Sequence, residues 1–298
     1  MPIPHIVHHT WKTNFVPSHL AKYVQSWRIY NPDWRHFLWT DEDAARFVHR
    51  HFNWFFPYYE RYSSDVMRAD AFRYIVLYAF GGVYADLDYE CYKSFSHLVS
   101  GTNLLLGWEW SGVLDQAIGK DACKNFPIVK DWFEHGNTLG NAVMASCPRH
   151  PLWSAVIQRL AKQHPGSVVQ ANRSIWGLTG PAFLTQVVLD TIKLHWNIFF
   201  ADQSILYPIY WHPPEIDDGH RSFDYPNAFG AHHWAGTWWQ PQPIITSPPV
   251  YFESQYYPSS ISVEKSLFNS SRDRNDTKYS NELQQIVLLS GKAQQTLE

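Results

Sequence analysis

The 298-residue sequence lacks charge of one sign, a cysteine framework and any long apolar run, and each shortage excludes a class of protein. With 24 Lys+Arg against 27 Asp+Glu the formal net charge is −3. That balance excludes a polybasic nucleic-acid binder and an acidic solvating tail. Cys91, Cys123 and Cys147 are too few for a disulfide scaffold, and the odd count leaves at least one unpaired within a single chain. No run of about 18 apolar residues occurs, so no transmembrane segment is expected in this chain. Met1-Pro2-Ile3-Pro4-His5 leads straight into a strand-like segment, so no signal peptide is expected, and any membrane anchor would lie outside this sequence. There is no H-E-x-x-H or C-x-x-C spacing for zinc, and alternation would split His8 from His9 across a strand.

What is present is aromatic: 15 Trp, 17 Tyr and 18 Phe make up 17% of the chain. That content suits a globular fold with rings left over for stacking on sugars or bases, or for peripheral membrane contact. The sequons at Asn172, Asn269 and Asn275 lean weakly towards a secretory route.

Ile3 to His9 is apolar and β-branched and is expected to be a buried strand. Ser18 is expected to cap a helix carrying Leu20, Val24 and Trp27, which Asn31-Pro32 ends. Trp34 to Trp39 is a second strand candidate, and Thr40 with Asp43 forms a capping box for a helix to about Phe52. This alternation predicts an α/β fold with a largely parallel sheet. Asp65 to Phe80 is the best helix, closed by Gly81-Gly82. Val83 to Asp88 alternates strictly, with Tyr84, Asp86 and Asp88 on one face. Asn103 to Trp108 is a further strand, Pro151 to Gln163 and Phe183 to Trp196 look helical, and Trp176 to Pro181 reads as a loop. Tyr207 to Pro249 is rich in Pro, Trp and His and suits an irregular cap. Residues 1–257 form one expected domain; 258–298 are a polar, poorly ordered tail with a short helix from Asn281.

Asp86-Leu87-Asp88 is the candidate centre. A bare D-x-D is weak, and Asp41-Glu42-Asp43 supplies a second one, at a helix start where carboxylates complement the dipole. Asp86 and Asp88 instead close a strand on one face, where open α/β sheets bind ligands. Two hard oxygen donors there suit Mg²⁺ or Mn²⁺ with a diphosphate. Asp70 and Arg73 lie three apart on the preceding helix, placed for a ligand contact or for an intrahelical ion pair.

Arg68-Ala69-Asp70-Ala71-Phe72-Arg73-Tyr74 followed by Gly81-Gly82-Val83-Tyr84-Ala85-Asp86-Leu87-Asp88 resembles the sugar-binding region of D-x-D glycosyltransferases. The resemblance is to the Och-type and inositol phosphoceramide mannosyltransferase-like family. Ile3 to Lys12, Asn31 to Trp34, Trp39 to Asp41, Gly140 to Ser146, Thr179 to Pro181 and His232 to Trp238 agree with it, so it spans about residues 2 to 240. Thr237 and Ala85 depart harmlessly from the commoner Ser and larger aliphatic residue.

The resemblance implies a GT-A type fold, with a Rossmann-like central sheet, and a retaining transferase that uses a nucleotide-sugar donor and Mn²⁺ (or Mg²⁺). It implies Asp88 as a direct metal ligand and Asp86 at the metal through water, or at the ribose and sugar. Asp70 and Arg73 would hold the donor sugar, and Tyr84 and Asn141 would lie at the donor. Trp11 would stack on the base. Asp86, Asp88 and Arg73 would carry the catalysis, Arg73 by countering charge on the leaving diphosphate. One of His232 and His233 would complete the metal or pyrophosphate site, with His232 preferred from its spacing to Trp234. The branch favours mannose from GDP-mannose and a glycolipid acceptor such as inositol phosphoceramide. It further implies the Golgi and secretory membranes in a eukaryote, and a cytoplasmic or membrane-peripheral place otherwise.

Trp108, Glu109 and Trp110 are candidates for an acceptor groove, with core or rim packing as the alternative. Asn141 is a donor contact or a loop cap, Trp234, Trp238 and Trp239 touch sugar or pack the cap, and Cys91 matches the lipid-mannosylating branch or is simply a small buried residue. A UDP-hexose-dependent transferase on a glycan, a non-catalytic carbohydrate-binding protein and a two-carboxylate glycoside hydrolase remain competing readings.

Overall fold

The computed structural model describes residues 1–110, 137–162, 175–191, 198–209, 225–236 and 248–252. The chain begins with β1 (Ile6–Trp11), β2 (Phe15–Val16), α1 (Ser18–Tyr30), β3 (Arg35–Thr40) and α2 (Asp41–His51). There follow α3 (Phe56–Glu60), α4 (Asp65–Phe80), β4 (Gly82–Ala85), β5 (Tyr89–Cys91), α5 (Ser96–Val99) and β6 (Leu104–Trp110). The second half adds β7 (Asn137–Leu139), β8 (Val143–Ser146), α6 (Pro151–Lys162), α7 (Ile175–Leu178) and α8 (Pro181–Thr191). It ends with β9 (Phe199–Ala201), α9 (Gln203–Leu206), β10 (Gly230–His232) and β11 (Val250–Tyr251).

Among the described residues the central sheet has seven strands in the order β3-β1-β4-β8-β6-β7, with β9 also on β6. β3, β1 and β4 pair in parallel, and β6 and β9 run the same way, while β7 and β8 are reversed. The sheet is therefore mostly parallel in direction, as the strand–helix alternation predicts. One face packs on α2, α4, α6 and α8 through a large aromatic core that includes Trp39, Phe72, Tyr74 and Trp153. The other face packs around Trp27, Tyr89, Phe95 and Tyr207.

Local chemistry sets the element ends. The Thr40 hydroxyl accepts from Asp43 N at 3.0 Å while Asp43 Oδ2 accepts from Thr40 N at 3.3 Å, the capping box that the sequence predicts. At α1 the cap passes from Ser18 to Pro17, whose carbonyl accepts from Leu20 N and Ala21 N. β1 starts three residues later than expected, because Pro2 and Pro4 have no N–H for a ladder, and it runs on to Trp11. The segment read as a loop overlaps the short α7, and α8 begins at Pro181, a residue suited to a first helical turn.

α4 is buried on nearly every side, and Gly81 and Gly82 reverse the chain from it into β4 at φ +64° and +88°. A Cβ on Gly81 would lie 2.6 Å from the Ser146 carbonyl, and one on Gly82 2.5 Å from that of Ile6. Only glycine combines those dihedrals with such close approach.

The alternation expected to run to Asp88 stops at Ala85. Its partner strand ends there too, with Ala85 opposite Val143. Asp86-Leu87-Asp88 becomes a turn closed by Tyr89 N donating to Asp86 O at 3.0 Å, so a turn, not strand alternation, brings the two carboxylates together. The expected tail, its helix, Trp238 and Trp239 lie outside the described residues, as do residues 192–196 of the helix expected to reach Trp196.

Candidate functional site

The segment Asn137–Ser146 runs antiparallel to β6 in two registers. Trp108 faces Leu139 and Leu105 faces Ala145, so three steps along β6 are matched by six along its partner. The surplus is taken up as a bulge around Gly140-Asn141-Ala142 at the edge where β1, β4 and β6 end. Backbone groups released from the ladder there need other partners. Ala142 O accepts from Asp86 N at 2.8 Å, Asn141 O accepts from Arg73 Nη1 at 2.7 Å, and Val143 N donates to the Tyr207 hydroxyl at 2.9 Å. The bulge thus ties β8 to the D-x-D turn and to α4. A Cβ on Gly140 would fall 2.2 Å from the Tyr207 ring, so glycine is required at this turn.

Arg73 is the hub. It is 4% exposed, as is Asp70, and its guanidinium lies 3.0 Å from Asp70 Oδ1 and 3.2 Å from Asp86 Oδ2. The ion pair between Asp70 and Arg73 that a plain helix surface would expose is here buried. Asp70 Oδ2 also accepts from the Thr179 hydroxyl at 2.8 Å, and Asp70 Oδ1 from Asn141 Nδ2 at 3.1 Å. Burial pushes the Asp70 carboxyl above its usual range, opposed by Arg73 and by the bonds from Thr179 and Asn141.

Tyr84 is fully buried and stands behind Asp86. Its hydroxyl donates to Asp86 Oδ1 at 2.8 Å and meets Thr10 Oγ1 at 2.9 Å, with the Arg73 guanidinium 4.8 Å from its ring centre. Among the described residues Tyr84 does not line the cleft, so it orients Asp86 and makes no contact there itself. Burial also raises the Asp86 carboxyl, against the pull of Arg73.

The two candidate histidines part company where β10 ends, since the strand closes at His232 and His233 begins the segment after it. His232 Nε2 lies 3.3 Å from Asp88 Oδ1, and its buried Nδ1 has no partner among the described residues. His233 turns away, its Nε2 2.8 Å from Glu90 Oε2 and its ring stacked on Tyr23 at 4.4 Å. Asp88 Oδ2 accepts from Ala235 N at 2.8 Å. Burial alone would raise the Asp88 carboxyl; the imidazolium of His232 and the Ala235 N–H overcome it and hold Asp88 at about 2. Burial works against a charge on His232, but Asp88 outweighs it and raises that imidazole.

One ligand atom each from Asp86, Asp88 and His232 falls within 4.8 Å of the other two. Two carboxylates and one imidazole form a donor set of the kind Mn²⁺ or Mg²⁺ accepts. The electrostatics fit as well. Asp70, Asp86, Asp88 and Glu109 face the inner cleft against Arg73 and His232, so a diphosphate could settle there only with added positive charge.

The cleft has a volume of about 490 Å³. Trp11, half-buried at the end of β1, lines one end, its indole N–H donating to Phe15 O at 3.1 Å. Asn141 lines the inner wall, its side chain committed to Asp70 and Tyr74. Trp234 borders the cleft and packs on the His232 ring at 4.2 Å. Trp108 is a core residue stacked on Phe200 at 5.6 Å, whereas Glu109 faces the cleft. Cys91 is a buried thiol that accepts from Asn31 Nδ2 at 3.4 Å. Arg68 pairs with Asp65 near the mouth. Sequence reasoning gave no role to Thr179 or Thr10; the signal for Thr179 was its place in the Thr179-Gly180-Pro181 block.

Residues 17–105 match the family described as the glycosyltransferase sugar-binding region containing DXD motif. A stretch of 162 residues, 54% of this chain, is 35% identical to inositol phosphoceramide mannosyltransferase 2 of Schizosaccharomyces pombe and covers 39% of it. A stretch of 185 residues, 62% of this chain, is 32% identical to mannosyl phosphorylinositol ceramide synthase SUR1 of Saccharomyces cerevisiae and covers 41% of it. The matched stretches thus span about two fifths of those relatives. Among solved structures the PaToxG glycosyltransferase is similar at a TM-score of 0.45 and 18% identity, over 64% of this chain and 71% of that one. The family match takes in Asp70, Arg73, Asp86 and Asp88, so the charged centre of the cleft is similar to those sugar-binding regions that contain a DXD motif.

Proposed function

We propose that this chain is the catalytic part of a metal-dependent, retaining GT-A type hexosyltransferase. It moves mannose from GDP-mannose to a hydroxyl of a glycolipid of the inositol phosphoceramide class. The observation that carries this reading is the convergence of Asp86, Asp88 and His232 at the end of a mostly parallel sheet, inside one cleft with the buried Asp70–Arg73 pair. The relatives' names supply the mannosyl group and the acceptor class.

Asp88 and His232 hold the cation, with Asp86 beside them. A divalent ion bound there supplies positive charge for a leaving diphosphate. Asp88 remains a carboxylate at neutral pH, since its carboxyl is held at about 2. Arg73, fixed by Asp70, Asp86 and the Asn141 carbonyl, presents a guanidinium that needs no reorganisation as negative charge develops. Trp11 offers a ring for the base at the far end of the cleft. A membrane-lipid acceptor implies work at a bilayer surface of the Golgi and secretory system. Among the described residues no helix is long and apolar enough to cross a membrane.

Replacing Asp88 with Asn keeps the shape and removes the charge. Mn²⁺-dependent transfer from GDP-mannose should fall at least about 100-fold at a temperature where the variant, less stable for the loss of its charge beside His232, is still fully folded. Full activity in the folded variant would overturn the assignment.

A further inference from the structure

Glu109 is a carboxyl that the residues discussed so far leave unused. It is 2% exposed and lies on β6 between Trp108, whose ring enters the core against Phe200, and Trp110. Among the described residues its one hydrogen bond is long: Oε1 accepts from the Thr138 hydroxyl at 3.5 Å. Its second oxygen has no partner there, and the side chain lines the cleft. Burial raises the carboxyl to about 7, so it can donate as well as accept a hydrogen bond near neutral pH. A nearly buried carboxyl with so little hydrogen bonding is costly unless a ligand completes it.

The sheet order says what this carboxyl meets. Trp11 ends β1, Asp86 follows β4, Asn141 and Ala142 precede β8, and Glu109 lies near the end of β6, all at one edge. β1, β4, β8 and β6 are successive neighbours in the sheet. At about 4.8 Å between strands, Asp86 and Glu109 are separated by roughly 10 Å of sheet, and Trp11 lies one strand further on the other side. A nucleoside diphosphate sugar laid along this edge puts its base at Trp11 and its diphosphate at Asp86, Asp88 and His232. Its hexose then lies over Asn141 and Ala142, against Glu109. Glu109 shares the inner lining of the cleft with Asp70, Arg73, Asp86 and Asn141, so the group it would meet is the donor sugar.

We propose that Glu109 is a sugar-contacting catalytic residue whose free carboxyl oxygen hydrogen-bonds a hydroxyl of the transferred hexose and selects for it. The assignment rests on the donor-site reading above and replaces the acceptor-groove expectation for this residue. A site built to bind a hydroxyl discriminates strongly against its loss, because its own polar group is then left unpaired.

The test compares GDP with GDP-mannose, each with Mn²⁺, on the wild-type protein, E109Q and E109A. GDP affinity should stay within about 2-fold in all three, while GDP-mannose affinity falls at least about 10-fold in E109A and less in E109Q, which keeps a polar group of the same shape. In a panel of monodeoxy GDP-mannose analogues, removal of one hydroxyl should cost the wild type about 10-fold and E109A almost nothing further. Equal costs for every analogue in both proteins would overturn the assignment, as would parallel loss of GDP and GDP-mannose in E109Q. If the wild type binds neither GDP nor GDP-mannose with Mn²⁺, the donor-site reading itself falls and this assignment with it.

Discussion

The Thr179 hydroxyl donates to Asp70 Oδ2 at 2.8 Å across 109 positions of sequence, so the loop before α8 helps to position a site carboxylate on α4. Asp70 is buried, and each of its oxygens has a partner. Thr179→Val keeps the volume and deletes the donor, leaving one carboxylate oxygen unmatched. The expected loss is about 1–3 kcal/mol of stability by urea unfolding, with a fall in transfer rate. Thr179→Ser, which restores a hydroxyl, should recover most of both. A stable, fully active Thr179→Val protein would remove Thr179 from the site.

Arg73 makes three directed contacts from one planar group, to Asp70, Asp86 and the Asn141 carbonyl. Lysine keeps the charge but offers a single ammonium that cannot span them. Arg73→Lys should therefore leave buried acceptors of the network unmatched, about 1–3 kcal/mol less stable. Transfer at a temperature where the variant remains folded should fall at least about 100-fold. Near-normal kinetics would mean that charge alone matters at this position.

His232 and His233 are neighbours in sequence with opposite surroundings, so their alanine variants should separate. His232→Ala removes a donor atom beside Asp88 and should weaken Mn²⁺ binding at least about 10-fold by calorimetric titration. His233→Ala loses the ring stack on Tyr23 and the bond to Glu90 but leaves the backbone N–H that donates to Asp88 O. Its Mn²⁺ affinity should change little. Equal losses in the two variants would contradict the geometry of β10.

Much of this site was legible because its groups follow local rules. The α4 pattern and the Gly81-Gly82 stop fix the helix that carries Asp70 and Arg73, and the D-x-D marks the end of β4. What was not legible depends on pairings distant in sequence. The turn at Asp86–Asp88 follows from where β8 ends, and no alternation within β4 can announce that. The bulge at Gly140–Ala142 exists only relative to β6. The preference for His232 over His233 came from spacing alone; the strand that turns one inward pairs with β5, more than a hundred residues away. Trp108, Glu109 and Trp110 read from sequence as an acceptor groove or as core or rim packing; strand alternation sends the Trp108 indole to the core and the Glu109 carboxyl to the cleft.

His8 makes a prediction away from the site. Its Nε2 meets Gly81 O at 3.0 Å, and its Nδ1 accepts from the Trp39 indole N–H at 3.2 Å. One nitrogen must donate and the other accept, so the ring is neutral in a single tautomer, and a second proton would displace the Trp39 bond. Burial accordingly lowers its pKa to about 4, and that of His9 to about 3. In the unfolded chain both titrate near 6.5, so below that pH the unfolded state binds more protons than the fold does. Their contribution to stability is complete above pH 6.5 and is lost as the pH falls towards 4. At about 1.4 kcal/mol per pKa unit, His8 alone accounts for up to roughly 3 kcal/mol over that window. Urea midpoints should stay nearly level from pH 7.5 to about 6.5 and then fall to pH 5, with a shallower fall in His8→Gln, which cannot titrate. A wild-type midpoint that stays level over this range would mean that His8 accepts its second proton in the folded protein.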